Sequence, residues 1–268
     1  MSNRIERKFT QLKKEKKKAL VTFITAGDPS AKICEKILND LPRHGVDMIE
    51  IGIPFSDPMA DGPTIQRSSQ RAISSGSNLK KTFEIVRKFR INNNDIPIIL
   101  MGYFNPIFQF SLKSFFVKCK SIGIDGVIIV DLPPEENDLI DQYTLKYDVH
   151  NIRLITPTTD SNRLKKVLKH TSGFLYYVSI AGITGTKKPL LSEVKSAISK
   201  IKKNTKLPVL VGFGIDSYQQ IKSLNEIADG CVVGSAIIKI IEDNLKKNLN
   251  SNKISDNIRR FLLKLKRE

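Results

Sequence analysis

Eight short apolar segments alternate with stretches of helical periodicity over 268 residues, and no low-complexity linker interrupts them. That alternation predicts an α/β protein built as a single (β/α)8 TIM barrel over residues 1–268. The candidate strands are Leu20 to Thr25, Met48 to Ile53, Ile96 to Met101, Gly126 to Val130, Ile152 to Ile155, Phe174 to Ser179, Pro208 to Val211 and Gly230 to Val233. Helices are expected near Ala31 to His44, Asn78 to Arg90, Leu112 to Ile122, Glu135 to Tyr147, Arg163 to Lys169, Leu191 to Lys202, Tyr218 to Asn225 and Ala236 to Asn244. A doubly wound sheet is the runner-up, but eight strands in one layer exceed its usual complement.

Taken in order, the chain opens on Ile5, Phe9 and Leu12, spaced i, i+4 and i+7. This stripe suits an extra N-terminal helix lying over one end of the barrel. Strand one runs into the turn Gly27-Asp-Pro29. In strand two the two-residue period puts Ile49, Ile51 and Ile53 on one face and Glu50, with Met48 and Gly52, on the other. Burial of such a carboxyl would raise its pKa towards the range useful for proton transfer. Pro54, Pro58 and Pro63 then stiffen a loop that carries Asp57 and Asp61. The segment Pro63 to Ser75 is expected to add a short extra helix after strand two.

The composition narrows the function classes. Three cysteines and three histidines, all far apart, fit neither a disulfide framework nor a metal cluster. A reducing cytoplasm is the simplest setting, and no metal site is expected. The apolar run Ala19 to Ala26 ends at a turn and is too short for a membrane span. Net charge +17 invites a nucleic-acid partner. The lysines, however, fall on helical stretches such as Lys195 to Lys206 without a nucleic-acid motif or interleaved aromatic residues, so neither nucleic acid nor membrane is expected as a partner. The same charge would draw in a small anionic substrate.

Catalytic groups in such barrels gather where strands end at their C-termini. The rule selects Glu50, Asp57 and Asp61 after strand two, Tyr103 and Asn105 after strand three, Asp131 after strand four and Tyr176 on strand six. It also selects three glycine-bearing turns, Gly182 to Gly185, Gly212-Phe-Gly214 and Gly234-Ser235, where backbone N–H groups can approach a phosphate. No candidate strand carries a lysine. An imine-forming aldolase is therefore disfavoured, and chemistry here would rest on acids and bases.

Ile49-Glu-Ile-Gly-Ile-Pro-Phe-Ser-Asp-Pro-Met-Ala-Asp-Gly62 resembles the signature segment of the tryptophan synthase α subunit family. Similar motifs follow in family order: Phe23 to Pro29, Met101 to Pro106, Asp131 to Pro133, Ala181 to Gly185, Gly212 to Gly214 and Gly234 to Ala236. The resemblance implies retro-aldol cleavage of indole-3-glycerol phosphate to indole and glyceraldehyde 3-phosphate, within L-tryptophan biosynthesis, by a barrel with no cofactor of its own. It gives Glu50 the role of general acid and base, and Asp61 that of acceptor for the indole N–H. It places Phe23, Tyr103, Tyr176 and Phe213 around the indole and glycerol. Gly185, Gly214, Gly234 and Ser235 would hold the phosphate, and Thr184 would sit in a lid over 181–189. It also implies an α2β2 complex with a β subunit that carries pyridoxal phosphate, contacted through Asp57, Pro58, Asn105, Asp131 and Pro133. Two departures stand out: Ile180 replaces an arginine found in some members, and the turn before Gly230 is about one residue shorter. A phosphosugar epimerase on the same barrel, or a non-catalytic activator of a β subunit, are the alternative readings.

Overall fold

A computed structural model describes residues 3–178, 190–212 and 214–266. Its strands are β1 (Ala19–Thr25), β2 (Met48–Gly52), β3 (Ile98–Gly102), β4 (Gly126–Ile129), β5 (His150–Asn151), β6 (Arg153–Ile155), β7 (Leu175–Val178), β8 (Val209–Gly212) and β9 (Gly230–Val233). All pair in parallel, in the order β5-β4-β3-β2-β1-β9-β8-β7-β6. β5 and β6 are two halves of one barrel position, joined through Ile152, whose N–H donates to the Val127 carbonyl at 2.9 Å. The ring therefore closes at eight positions, and each of the eight expected strands is found. The fifth begins two residues earlier than the sequence suggested, because His150 N–H already bonds the Asp125 carbonyl.

Closure makes one face of every strand an interior face. Val21, Met48, Ile99, Ile128, Ile152, Phe174, Leu210 and Val232, one from each position, fill the barrel as a single apolar cluster. Helix α1 (Arg4–Lys14) adds Ile5 and Leu12 to it from below, and Phe9 meets the Phe174 ring edge-on at 5.9 Å. The stripe in the N-terminal sequence is thus the floor of the barrel. Ile49, Ile51 and their counterparts on other strands face outward under the helices.

The expected helices appear, several with their own caps. α2 (Ala31–Asp40) starts on the Ser30 hydroxyl and passes into a 3-10 turn at Leu41–His44. α3 (Pro63–Ser74) has Pro63 in its first turn, where a missing N–H costs nothing. α4 (Leu79–Asn92) is capped by Asn78. Two helices were not foreseen: α5 (Phe104–Gln109), only six residues long, and the C-terminal α12 (Ser251–Lys264). The remainder are α6 (Leu112–Ile122), α7 (Asp138–Tyr147), α8 (Ser161–Lys169), α9 (Leu191–Asn204), α10 (Tyr218–Asn225) and α11 (Ser235–Lys246). α12 buries Ile254, Ile258 and Leu262, and Ser255 donates to Asp40 of α2 at 2.5 Å.

Charge locks the floor. Asp125, 3 % exposed at its side chain, accepts from Arg90 at 2.8 Å and from Arg4 at 2.9 Å, and also from Ile98 N–H at 2.8 Å. Arg90 further donates to the Gly123 and Ile96 carbonyls, so its buried guanidinium is paired and well bonded. Removing one partner of such a group leaves the other uncompensated. We expect Asp125→Ala to cost about 3–5 kcal/mol of stability in urea unfolding; a cost below about 1 kcal/mol would show that the lock contributes little.

Candidate active site

Two residues beyond the apolar layer, on the same inward faces, lies a second ring: Phe23, Glu50, Met101, Val130, Leu154, Tyr176, Gly212 and Gly234. All eight line one cavity of about 810 Å³ at the C-terminal mouth of the barrel. Six positions carry side chains, and two neighbouring ones, on β8 and after β9, carry glycine. A Cβ on Gly212 would lie 2.5 Å from the Tyr176 hydroxyl, and one on Gly234 would lie 3.2 Å from the Phe23 Cβ. The glycines let Tyr176 and Phe23 lean over them and keep backbone exposed on that side. Gly214 adopts φ 62°, a left-handed conformation that glycine reaches without strain. Ser235 opens α11 and, with Gly214 and Gly234, borders the same part of the cavity. The N–H groups of a first helical turn are ready anion donors.

Glu50 is 2 % exposed. Burial, reinforced by the negative charge of Asp61, pushes its pKa up to about 8. Asp61 is half-buried, and burial lifts its pKa to about 6 against a lowering hydrogen bond from Tyr103. Near neutral pH, Glu50 is therefore mainly a carboxylic acid and Asp61 mainly a carboxylate. One can give a proton while the other holds negative charge.

Several contacts hold Asp61 in place. Its loop is bonded internally by Asp61 N–H to the Pro58 carbonyl at 3.0 Å and by Gln66 to the Asp61 carbonyl at 2.8 Å. α3, which follows, is pinned to the end of β1: Thr25 and Ser68 share a hydroxyl bond of 2.6 Å, and Arg71 grips buried Asp28 through two 2.7 Å bonds. Arg67 makes a second fork with Glu242 of α11. These pairings join residues 43 and 175 positions apart. The Gly27-Asp-Pro29 turn alone gave no hint of them.

Tyr103 is placed differently from the other aromatic candidates. It is buried behind the cavity wall, where its hydroxyl accepts from Ala60 N–H at 3.0 Å and lies near enough to Asp61 to lower the pKa of that carboxyl. Its ring lies 5.4 Å from Phe55. Tyr103 thus braces the Asp61 loop. Asp131 accepts from Phe104 N–H at 2.7 Å and so secures the start of α5. Through these bonds the loops after β2, β3 and β4 form one continuous rim, on which Asp57, Asn105 and Pro133 are exposed and Pro58 is half-buried. Met59 and Phe108, 67 % and 55 % exposed, stand on the same rim. Thr184, Gly185 and Phe213, with Ile180 and the segment 181–189, lie outside the described residues. Sequence reasoning missed Met101, Val130 and Leu154 as cavity residues, although counting two residues on from the apolar layer finds them. It also missed Arg163 on the wall. No three His, Cys, Asp or Glu side chains among the described residues converge as a metal site would require. No described helix is long and apolar enough to cross a membrane.

The tryptophan synthase alpha chain family model matches residues 9–263. The chain belongs to that family. Among solved structures, the tryptophan synthase subunit alpha of Legionella pneumophila is 36% identical, with a TM-score of 0.91 over 99% of this chain and 97% of that one. The chain is also similar to one in the tryptophan synthase complex of Pyrococcus furiosus, at 33% identity and a TM-score of 0.83 over 92% and 97%. Another match, in tryptophan synthase from M. tuberculosis in an aminoacrylate-bound form, is 25% identical with a TM-score of 0.86 over 98% of each chain. Membership in the tryptophan synthase alpha chain family agrees with the barrel.

The raised pKa of Glu50 has a measurable consequence. Between its ordinary 4.5 and about 8, the folded chain holds a proton that the unfolded chain has released, so stability falls as pH rises through this window. Glu50→Gln removes the titration. We expect it to gain on the order of 5 kcal/mol over the unmodified protein above pH 8 and almost nothing below pH 4.5. Unfolding free energies whose difference does not change with pH would contradict a buried, protonated Glu50.

Proposed function

We propose that this chain is a lyase that cleaves indole-3-glycerol phosphate to indole and glyceraldehyde 3-phosphate. In the cell it would act as the α subunit of an α2β2 tryptophan synthase. The observation that carries this reading is the single cavity in which a protonated Glu50, an ionised Asp61, aromatic walls and a glycine-lined anion side converge. Family membership supports it.

In the proposed reaction, the indole ring lies between the aromatic and aliphatic side chains of the ring layer. The phosphate rests against Gly214, Gly234 and Ser235, with Gly185 completing the cradle. Glu50 gives its proton to indole C3 while Asp61 accepts the ring N–H and stabilises the resulting indolenine. Glu50, now a carboxylate, removes the proton from the glycerol hydroxyl next to the bond to be broken. That bond's electron pair returns to the indole ring as the carbonyl forms, and indole and glyceraldehyde 3-phosphate leave. One group thus serves as acid and then as base, which a pKa near neutrality favours. Thr184 and the segment 181–189 are proposed to close over the substrate, excluding water.

These steps draw on no cofactor of this chain; pyridoxal phosphate is proposed to reside in the β partner. The partner would dock on the rim that carries Asp57, Pro58, Asn105, Asp131 and Pro133, where exposed Met59 and Phe108 supply apolar area. The tryptophan synthase complex of Pyrococcus furiosus, which holds a chain similar to this one, supports such an assembly. A cytoplasmic location fits this reaction.

Release of indole from indole-3-glycerol phosphate, by the chain alone and with a β subunit added, tests the reading; no release in either case would sink it. Glu50→Gln is expected to lower kcat by at least about 1,000-fold while still binding substrate; near-normal turnover would refute its proton-transfer role. The pH profile of kcat/KM should rise with the ionisation of Asp61 near 6 and fall with that of Glu50 near 8. Because the Asp61 charge helps raise the Glu50 pKa, Asp61→Asn should move the falling limb to lower pH.

A further inference from the structure

Arg163 is the one cation among the described residues that line the catalytic cavity. It stands in the first turn of α8, where Asp160 accepts its backbone N–H at 2.8 Å and fixes the turn. Its side chain is 47 % exposed, so it sits at the rim. Only one end of its guanidinium is bonded among the described residues: Nη1 reaches Glu135 Oε1 at 2.9 Å and Oε2 at 3.2 Å. Nε and Nη2 have no partner there. Glu135 in turn has a second cation, Lys166, at 3.3 Å.

We propose that Arg163 captures the phosphate of incoming substrate at the rim and delivers it to the glycine cradle; this rests on the reaction assigned above. The cavity needs such a group, because ionised Asp61 inside it repels a dianionic substrate. Guanidinium offers a planar fork of donors that matches phosphate oxygens. Letting go of Glu135 costs little, since the pair is exposed and Lys166 remains beside the carboxylate. Glu135 therefore competes with the substrate for Arg163, holding it ready and limiting its strength.

The full-length chain, with its β partner present, tests this through steady-state kinetics and through inhibition by glycerol 3-phosphate, with indole as the uncharged control. In low salt, Arg163→Gln should lower kcat/KM about 5-fold and raise the glycerol 3-phosphate inhibition constant by a similar factor. It should leave kcat within about twofold and indole binding unchanged, and the deficit should vanish near 0.5 M salt, as screening predicts. Arg163→Lys should recover only part of the loss, because it restores the charge without the fork. Glu135→Gln should move the other way and raise kcat/KM about twofold. An unchanged kcat/KM in Arg163→Gln would overturn the proposal. So would a loss that persists in high salt and extends equally to kcat or indole binding, because that marks loss of support for the fold. If Arg163→Gln fails to fold, Glu135→Gln and the salt dependence of the unmodified protein decide; no gain in the first, or no decline of kcat/KM with salt in the second, overturns it. Absence of any cleavage by the unmodified complex would instead defeat the proposed reaction, and glycerol 3-phosphate binding to the variants would still decide the role of Arg163.

Discussion

The two-residue repeat of a strand in a closed parallel ring governs this molecule. Once Val21, Met48, Ile99 and their five counterparts are turned inward to fill the barrel, the residue two places later on each strand has to face inward as well. At the C-terminal end that next layer meets the mouth. The same parity that packs Met48 in hydrocarbon delivers Glu50 to a cavity floor, and the cost of burying its charge sets its chemistry. Shifting β2 by one residue would put Glu50 under the helices and Ile49 in the mouth.

The layer is unequal around the ring, and the inequality divides the cavity by chemistry. Bulky side chains occupy six positions, while Gly212 and Gly234 occupy two adjacent ones. Apolar and aromatic surface therefore lies on one side and exposed backbone on the other. Glu50 projects from the floor, and Asp61 reaches in from a loop. Because burial acts more completely on Glu50 than on Asp61, and Tyr103 donates to Asp61, two chemically similar carboxyls hold different protonation states. Arg163 at the rim opposes the remaining negative charge.

Tyr103 links this interior to the outer face. Its hydroxyl touches the loop at both Ala60 and Asp61, and the strand that leads to it leads on to α5, which Asp131 secures. A partner seated on Asp57, Pro58 and Asn105 would press on the loop that holds Asp61. In the proposed complex, assembly and acid–base chemistry would share one mechanical element, with the α3 clamps, Arg71 to Asp28 and Arg67 to Glu242, holding its other end.

Local pattern alone determined the eight strands, the outward face of Ile49 and Ile51, the inward face of Glu50 and the plug formed by Ile5, Phe9 and Leu12. Each depends on spacing along a few residues, which any reader of the chain can count. Gly212, Gly214 and Gly234 at the mouth and the proline-stiffened acidic loop were legible for the same reason. Other features were not. α5 is too short to show a helical period, and α12 lies in a lysine-rich stretch whose apolar positions gain meaning only against α2 and α11. Arg71 and Asp28, Tyr103 and Asp61, and Arg163 at the cavity rim are relations between distant residues that only closure of the ring creates. The pKa separation of the two acids is likewise a tertiary property, because it is set by how much water the folded walls remove from each carboxyl. Two acids stand in the sequence; the folded barrel keeps one neutral and leaves the other charged.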